Sequence, residues 1–295
     1  MLELGRILCP VDFSEFSVRA YRYALSVAEH HRAKLVAQHI VELWQYPSVS
    51  FAASATAYEE FSQALREKAE QQLRELVKSY PHDETQPECV VQQGIAADAI
   101  LAFAEEQKTD LIVMGTHGRR GFDHLMLGSV TERVLRRGSR PVLAISRLSH
   151  DLVTAGKQRD HVHLGRILFC TDFSENSERA LNYAISLTAD YNAELTLLHV
   201  LEHAPSSADI EEARAAATEQ LDRLIPPAGR QAGKIKTTVL IGKPYQQIIQ
   251  FALETQADLV TMAVRGRGAL DLAVFGSTTY RVLQLGPCPV LAVHV

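Results

Sequence analysis

Short apolar, β-branched runs alternate with longer amphipathic stretches along the whole chain. In the first half the runs are RILCPVD (6–12), KLVAQHIV (34–41), ECVVQQG (88–94), DLIVMG (110–115) and RPVLAIS (140–146). In the second they are RILFCTD (166–172), ELTLLHVL (194–201), IKTTVLIG (235–242), DLVTMAV (258–264) and CPVLAVHV (288–295). Their length and branching predict strands. Helical patterns fall near 14–32, 57–79, 96–108 and 129–137. The second of these spaces Lys, Arg and Glu along one face, with Leu65, Ala69, Leu73, Leu76 and Val77 on the other. Strand then helix, repeated, predicts an α/β fold with a parallel sheet, right-handed crossovers and helices on both faces. In such sheets a ligand crevice lies beyond the carboxyl ends of the strands, where the strand order reverses.

The chain is written twice. Residues 5–28 align without gaps on 165–188 at 14 identities in 24, and 128–144 align on 276–292 at 11 in 17. The offset falls from 160 to 148 between these blocks, so the first copy carries about 12 extra residues between 42 and 90. Two domains are expected, 1–147 and 164–295, joined by a polar, aperiodic linker at 148–163. The segment 43–56 is a lengthened loop carrying Trp44, Tyr46 and Phe51, either packed over the sheet edge or serving as a partner-binding or gating loop.

Composition narrows the class. With Lys+Arg 30 and Asp+Glu 35 among 295 residues, the net charge is −5, and no dense basic run is present, which argues against a nucleic-acid partner. Glu3, Arg6 and Asp12 interrupt the opening residues, and no apolar stretch approaches ~18 residues, so neither a signal peptide nor a membrane span is expected. Cys9, Cys89, Cys170 and Cys288 are widely spaced with no C-x-x-C, the pattern of reduced thiols in a cytoplasmic protein.

The chemistry-bearing residues cluster at the ends of predicted strands. After the fourth strand comes GTHGRRGFDHLMLGS, with Gly115, Gly118 and then Gly128-Ser129 opening a helix. Such a passage lets backbone approach a ligand and offers helix-start N–H groups to an anion such as phosphate. Ser129 and Thr131 add hydroxyls, and His117, Arg119 and Arg120 add positive or hydrogen-bonding groups. A glycine-rich turn before a Ser-capped helix would have the same spacing. Neither G-x-x-x-x-G-K-[ST] nor G-x-G-x-x-G is present. Asp12 and its repeat Asp172 fit two roles: accepting from a ribose or adenine donor, or capping a helix as D-x-x-E with Glu15 and Glu175. His39 and His199 end second strands and read as packed residues. No catalytic constellation is found, since Cys9 and Cys170 are out of register by one position.

The G-x-x-G-x9-G-[ST] spacing, the P-x-D-F-S-E start and the S-x-P-V-L-x-[IV] strand together resemble the universal stress protein family, and the duplication resembles its tandem members. The resemblance implies two five-stranded sheets of order 3-2-1-4-5, pairing through their last strands, and the glycine spacing is that of ATP-binding members. Carried over by position, it implies Pro10, Val11, Asp12 and Ile40 at the adenosine end of a first site. Gly115, His117, Gly118, Gly128, Ser129, Val130 and Thr131 would hold its phosphates. The second-copy set is Thr171, Asp172, Val200, Arg265, Gly266, Gly276, Ser277, Thr278 and Thr279, with Ala263 replacing the first glycine. A Cβ at 263 would obstruct the site if that residue needs positive φ or phosphate contact. The implied function is an ATP-binding stress-response regulator in which nucleotide occupancy switches conformation or assembly. The alternatives are a slow ATPase, with His117 the candidate base, or a nucleotide-free, chaperone-like protein. Mg2+ would ride on the phosphates without protein ligands. A homodimer and an unidentified protein partner are expected.

Overall fold

A computed structural model of the chain describes residues 4–45, 55–80, 85–118, 127–146, 148–149, 153–155, 160–202, 207–227, 234–264 and 276–294. The first copy supplies β1 (Arg6–Pro10), α1 (Glu15–His31), β2 (Lys34–Val41), a 3-10 turn (Leu43–Gln45) and α2 (Ala55–Ser79). It continues with β3 (Glu88–Gln93), α3 (Ala96–Glu106), β4 (Leu111–Gly115), α4 (Ser129–Arg137) and β5 (Val142–Ile145). After β6 (Val153–Ala155) and β7 (Asp160–Val162), the second copy repeats the pattern. Its elements are β8 (Arg166–Cys170), α5 (Glu175–Asp190), β9 (Glu194–Leu201), α6 (Ser207–Leu224), β10 (Ile235–Ile241), α7 (Pro244–Glu254), β11 (Leu259–Ala263), α8 (Ser277–Leu285) and β12 (Val290–Val293).

Ten of the twelve described strands form one sheet, β10-β9-β8-β11-β12-β5-β4-β1-β2-β3. Each half has the order 3-2-1-4-5 and is parallel throughout, and the halves join through the antiparallel pair β12–β5. Leu143 faces Leu291 in that register. These two are counterparts in the repeat, so a pseudo-twofold axis passes between them. The six central strands β8, β11, β12, β5, β4 and β1 are buried at nearly every position, as expected where helices cover both faces, whereas β3, β9 and β10 toward the sheet edges are mostly half-buried. One core lies beneath α1 and α5, with α2 and α6, and runs across both halves; the other lies beneath α3, α4, α7 and α8. The extra residues of the first copy fall between β2 and the buried part of α2, a helix of 25 residues against 18 in α6.

Each β1-type strand is pinned at its start by a carboxylate. Asp110 Oδ2 accepts from Gly5 and Arg6 N–H at 2.9 Å, and Asp258 Oδ2 accepts from Gly165 and Arg166 N–H at 2.8 Å. The polar segment between the copies is not aperiodic coil, as its sequence predicts, but contains the β6–β7 hairpin. Val162 N–H donates to Ser26 Oγ of α1 at 2.6 Å, and Val162 and Leu164 are buried. Two three-residue strands with one buried anchor leave too short a period to read.

The seam is also built by side chains. His30 stacks on Tyr191 at 4.1 Å between centroids, and His31 meets the same ring edge-on at 5.8 Å. His294 Nε2 lies 2.8 Å from Leu135 O at the end of α4, while Ser146 Oγ donates to Gly286 O at the end of α8. Both side chains satisfy carbonyls that a helix terminus leaves open. Among the described residues no helix is long and apolar enough to cross a membrane, and the four cysteines are unpaired.

Candidate nucleotide site

All eleven first-copy residues nominated by the sequence line one cleft of about 970 Å3, at the carboxyl ends of β1, β2 and β4. Local chemistry shapes each wall. Val11 N–H donates to Gln38 O at 2.7 Å, which extends β1 pairing past Pro10. His39 Nδ1 lies 2.6 Å from Val11 O and its ring 4.6 Å from Phe13, so His39 is a packed residue that holds the β1 loop. Phe13 adopts φ 63°, and its repeat Phe173 adopts 59°, a left-handed turn unusual for so bulky a side chain. Backbone strain of this kind concentrates at functional sites.

Asp12 is not itself the N-cap. The cap of α1 is Ser14, which accepts from Ser17 N–H; Asp12 Oδ1 accepts from both the N–H (3.0 Å) and the hydroxyl (2.6 Å) of Ser14. The same arrangement recurs at Asp172 and Ser174. The D-x-x-E capping alternative is therefore replaced by an Asp-pinned Ser cap. Asp12 Oδ2 lies so near Gly118 that an added Cβ there would stand 2.8 Å from it, and with the carboxylate pinned by Ser14 such a side chain would force it to shift.

The other two glycines have different reasons. Gly128 N–H donates to Thr116 O at 2.7 Å, closing the loop base, and a Cβ there would stand 3.0 Å from the same carbonyl. Gly115 is not among the described glycines with positive φ, and its Cβ would press on the Phe16 backbone of α1, 3.0–3.1 Å away. At the counterpart position, Ala263, the methyl group belongs to the core on the α5 face and φ is not positive. Thr131 Oγ1 donates to Gly115 O at 2.8 Å and Thr279 Oγ1 to Ala263 O at 3.0 Å, so both hydroxyl protons tie helix to strand. Gly128, the α4 N-cap, has no side chain to cap with, which leaves the first-turn N–H groups of α4 directed at the cleft.

His117 is 9% exposed, with Nδ1 2.9 Å from Thr116 Oγ1 and its ring 5.6 Å from that of Phe16. Sequence reasoning missed Glu42, Lys68, Gln72 and Arg133, which also line the cleft. Glu42 Oε1 accepts from Ala96 N–H, capping α3. Lys68 is exposed on α2 three residues from Leu65, at the border of the apolar face, the one signal that could have found it. Trp44, assigned to a loop that packs or gates, is 61% exposed at the cleft; Tyr46 and Phe51 lie outside the described residues.

In the second copy Thr171, Asp172, Val200, Gly276, Ser277, Thr278 and Thr279 occupy the corresponding strand ends and helix start. Arg265 and Gly266 lie outside the described residues, as do Arg119 and Arg120. Burial pushes the Cys9 and Cys170 thiols up, away from the nucleophilic thiolate. Among the described residues no group of three or more His, Cys, Asp or Glu side chains is placed to hold a metal ion.

Comparison with known proteins agrees with this architecture. The profile of the Universal stress protein family matches residues 3–146 and again 163–294. A Methanocaldococcus jannaschii protein named Universal stress protein MJ0531 is 32% identical over 142 residues, 48% of this chain and 82% of its own length. A universal stress protein of Mycolicibacterium smegmatis is 26% identical over 303 residues, covering 98% of this chain and 96% of its own. The crystal structure of a universal stress protein from Archaeoglobus fulgidus superposes with a TM-score of 0.67 at 23% identity, covering 99% of this chain and 97% of that one, which shows the shared fold. With the duplicated sequence, the 3-2-1-4-5 sheets and a family match over both halves, the chain belongs to the universal stress protein family as a tandem two-domain member.

Proposed function

We propose that this protein is an ATP-binding stress-response regulator, with the nucleotide in the first-domain cleft and occupancy biasing the arrangement of its two domains. The observation that carries this reading is the convergence of eleven residues, drawn from four separated segments, on one cleft. Its size lies within the roughly 300–1,000 Å3 of ordinary small-molecule sites. Its walls combine the apolar and polar chemistries a nucleotide requires. Val11, Ile40, Ile100, Met114 and Leu127 offer apolar surface for a purine, and the Asp12 carboxylate lines the same cleft, an acceptor of the kind that ribose hydroxyls donate to. The α4 N-terminus, Lys68 and Arg133 supply positive potential for phosphates. Mg2+ would be held through phosphate oxygens.

The cleft is joined to the domain seam by two helices. α1 is capped by Ser14 beside Asp12 and ends at His30 and His31 against Tyr191; α4 begins at the cleft and carries Leu135 in its last turn, whose carbonyl meets His294. A ligand shifts such an equilibrium only through differential affinity for two arrangements. Within this reading the protein acts in the cytoplasm as a homodimer, which light scattering tests against the 32.7 kDa monomer.

The test is the nucleotide content of the purified protein, released by denaturation and quantified by chromatography with mass detection, followed by calorimetric titration with ATP and Mg2+. Bound or titratable ATP is the expected result. ADP in its place would favour the ATPase alternative, and neither retention nor heat of binding would overturn the reading.

A further inference from the structure

The two copies differ where α3 and α7 begin. Ala97, in the first turn of α3, and Arg133, on α4, line the first-domain cleft from two sides. Their counterparts at the 148 offset are Tyr245 on α7 and Arg281 on α8. Three landmarks fix this correspondence: Gly94 and Gly242 share positive φ (150° and 135°), Ile100 and Ile248 are buried alike, and Gly128 and Gly276 are both N-caps. In the second domain the two side chains meet. The Arg281 guanidinium stands 6.0 Å from the Tyr245 ring centroid, at cation–π range, and the ring packs against the core of that face. Two walls that border an open cleft in the first domain are thus bridged by a phenol ring in the second, and the arginine is drawn onto that ring.

A second difference acts in the same direction. The helices α2 and α6 align on Ala69 and Ala217, both 5% exposed, and on Leu73 and Leu221, both fully buried. That register places Ala216 where Lys68 lines the first-domain cleft. The cap differs too: Ala96 N–H is held by Glu42, whereas Pro244 at the same place has no N–H to offer Glu202.

We propose that Tyr245 is a specificity-determining residue that closes the second-domain cleft to nucleotide, so that each chain binds one nucleotide, in the first domain. The proposal rests on the nucleotide reading above. The second domain then serves as the arm against which the occupied domain moves, and the aromatic ring, not Ala263, sets the asymmetry.

Calorimetric titration of the full chain with ATP and Mg2+ tests it, read in parallel with the fluorescence of Trp44. Trp44 is the single tryptophan and lines only the first-domain cleft. The wild type is expected to bind one ATP per chain, with a fluorescence change. Tyr245→Ala is expected to bind a second ATP that gives heat without a further change at Trp44. The mirror variant Ala97→Tyr is expected to weaken the first-domain site at least about tenfold, or about 1.4 kcal/mol. Far-UV circular dichroism identifies a variant that fails to fold, in which case the other carries the test. Two ATP per wild-type chain, or an unchanged stoichiometry in folded Tyr245→Ala, would overturn the proposal. No binding by wild type or by either variant would remove the nucleotide reading itself, and this inference with it.

Discussion

Exchanging the residues at the end of β4 and β11 should weaken whichever domain receives the wrong one. In Gly115→Ala the new Cβ meets the Phe16 carbonyl oxygen at 3.0 Å and the Phe16 carbonyl carbon and Cβ at 3.1 Å. Those atoms belong to the first turn of a helix whose cap is pinned by Asp12, so they cannot move singly. Overpacking against fixed backbone costs roughly 1–3 kcal/mol. The mirror variant Ala263→Gly removes a methyl group from a site 8% exposed. It loses about 0.8 kcal/mol of burial and about 0.5–1 kcal/mol of backbone restriction, or about 1.5 kcal/mol in total. Urea unfolding followed by far-UV circular dichroism should show both variants shifted to lower midpoints. A Phe16→Ala background should not rescue Gly115→Ala, because the three offending atoms remain in alanine. A loss below about 0.5 kcal/mol for Gly115→Ala, within the range of neutral surface changes, would refute the reasoning. Rescue by Phe16→Ala would refute it equally, by assigning the clash to the ring.

Other consequences can be measured directly. Desolvation and then neighbouring His30 hold His31 below the ordinary imidazole range, with Asp190 opposing. The unfolded chain therefore binds that proton first as pH falls below about 6.5, and stability present above that pH is lost as it falls through the folded value. Urea midpoints at pH 8 and 5.5 should differ less in His31→Gln than in the wild type. Ser26→Ala leaves the Val162 N–H without its acceptor at a cost of about 1–3 kcal/mol; faster proteolysis of the inter-domain segment is the readout, and unchanged proteolysis would contradict it. Thiol titration of the native protein should modify Cys89 ahead of Cys9, Cys170 and Cys288, which are buried, with the Cys288 thiol pushed up to about 12 by desolvation first and Asp258 next. Prompt reaction of more than one thiol would contradict the packing.

The duplication and strand runs made the fold legible, because a buried parallel strand must be apolar on both faces and each run was bounded by glycine, proline or charge. The β-branched runs also located the strand ends, and with them the cleft. What sequence could not supply was direction. Gly115 and Gly118 sit three residues apart in one motif, yet the first yields space to a helix and the second to a carboxylate. Thr131 reads as a ligand donor until its hydroxyl is seen on Gly115 O. Lys68 and Arg133 come from helices whose rotation about their axes follows from packing, and Tyr245 becomes conspicuous only once Ala97 is known to line a cavity. The β6–β7 hairpin escaped because its anchoring partner, Ser26, is 136 residues distant.

The contacts across the β5–β12 seam have a consequence for how the two halves can diverge. His30 and His31 occupy the places that Asp190 and Tyr191 hold in the second copy, and these unlike pairs meet one another. Ser146 and His294 likewise perform the same task with different chemistry. Two identical subunits related by a twofold axis must build an interface from a self-complementary patch, in which each substitution appears twice. Histidine would then face histidine, and protonation would set like charges against each other. Joining both halves in one polypeptide removes that restriction. Each side can acquire a residue suited only to its neighbour, and one half can keep a ligand cleft while the other is free to fill its own.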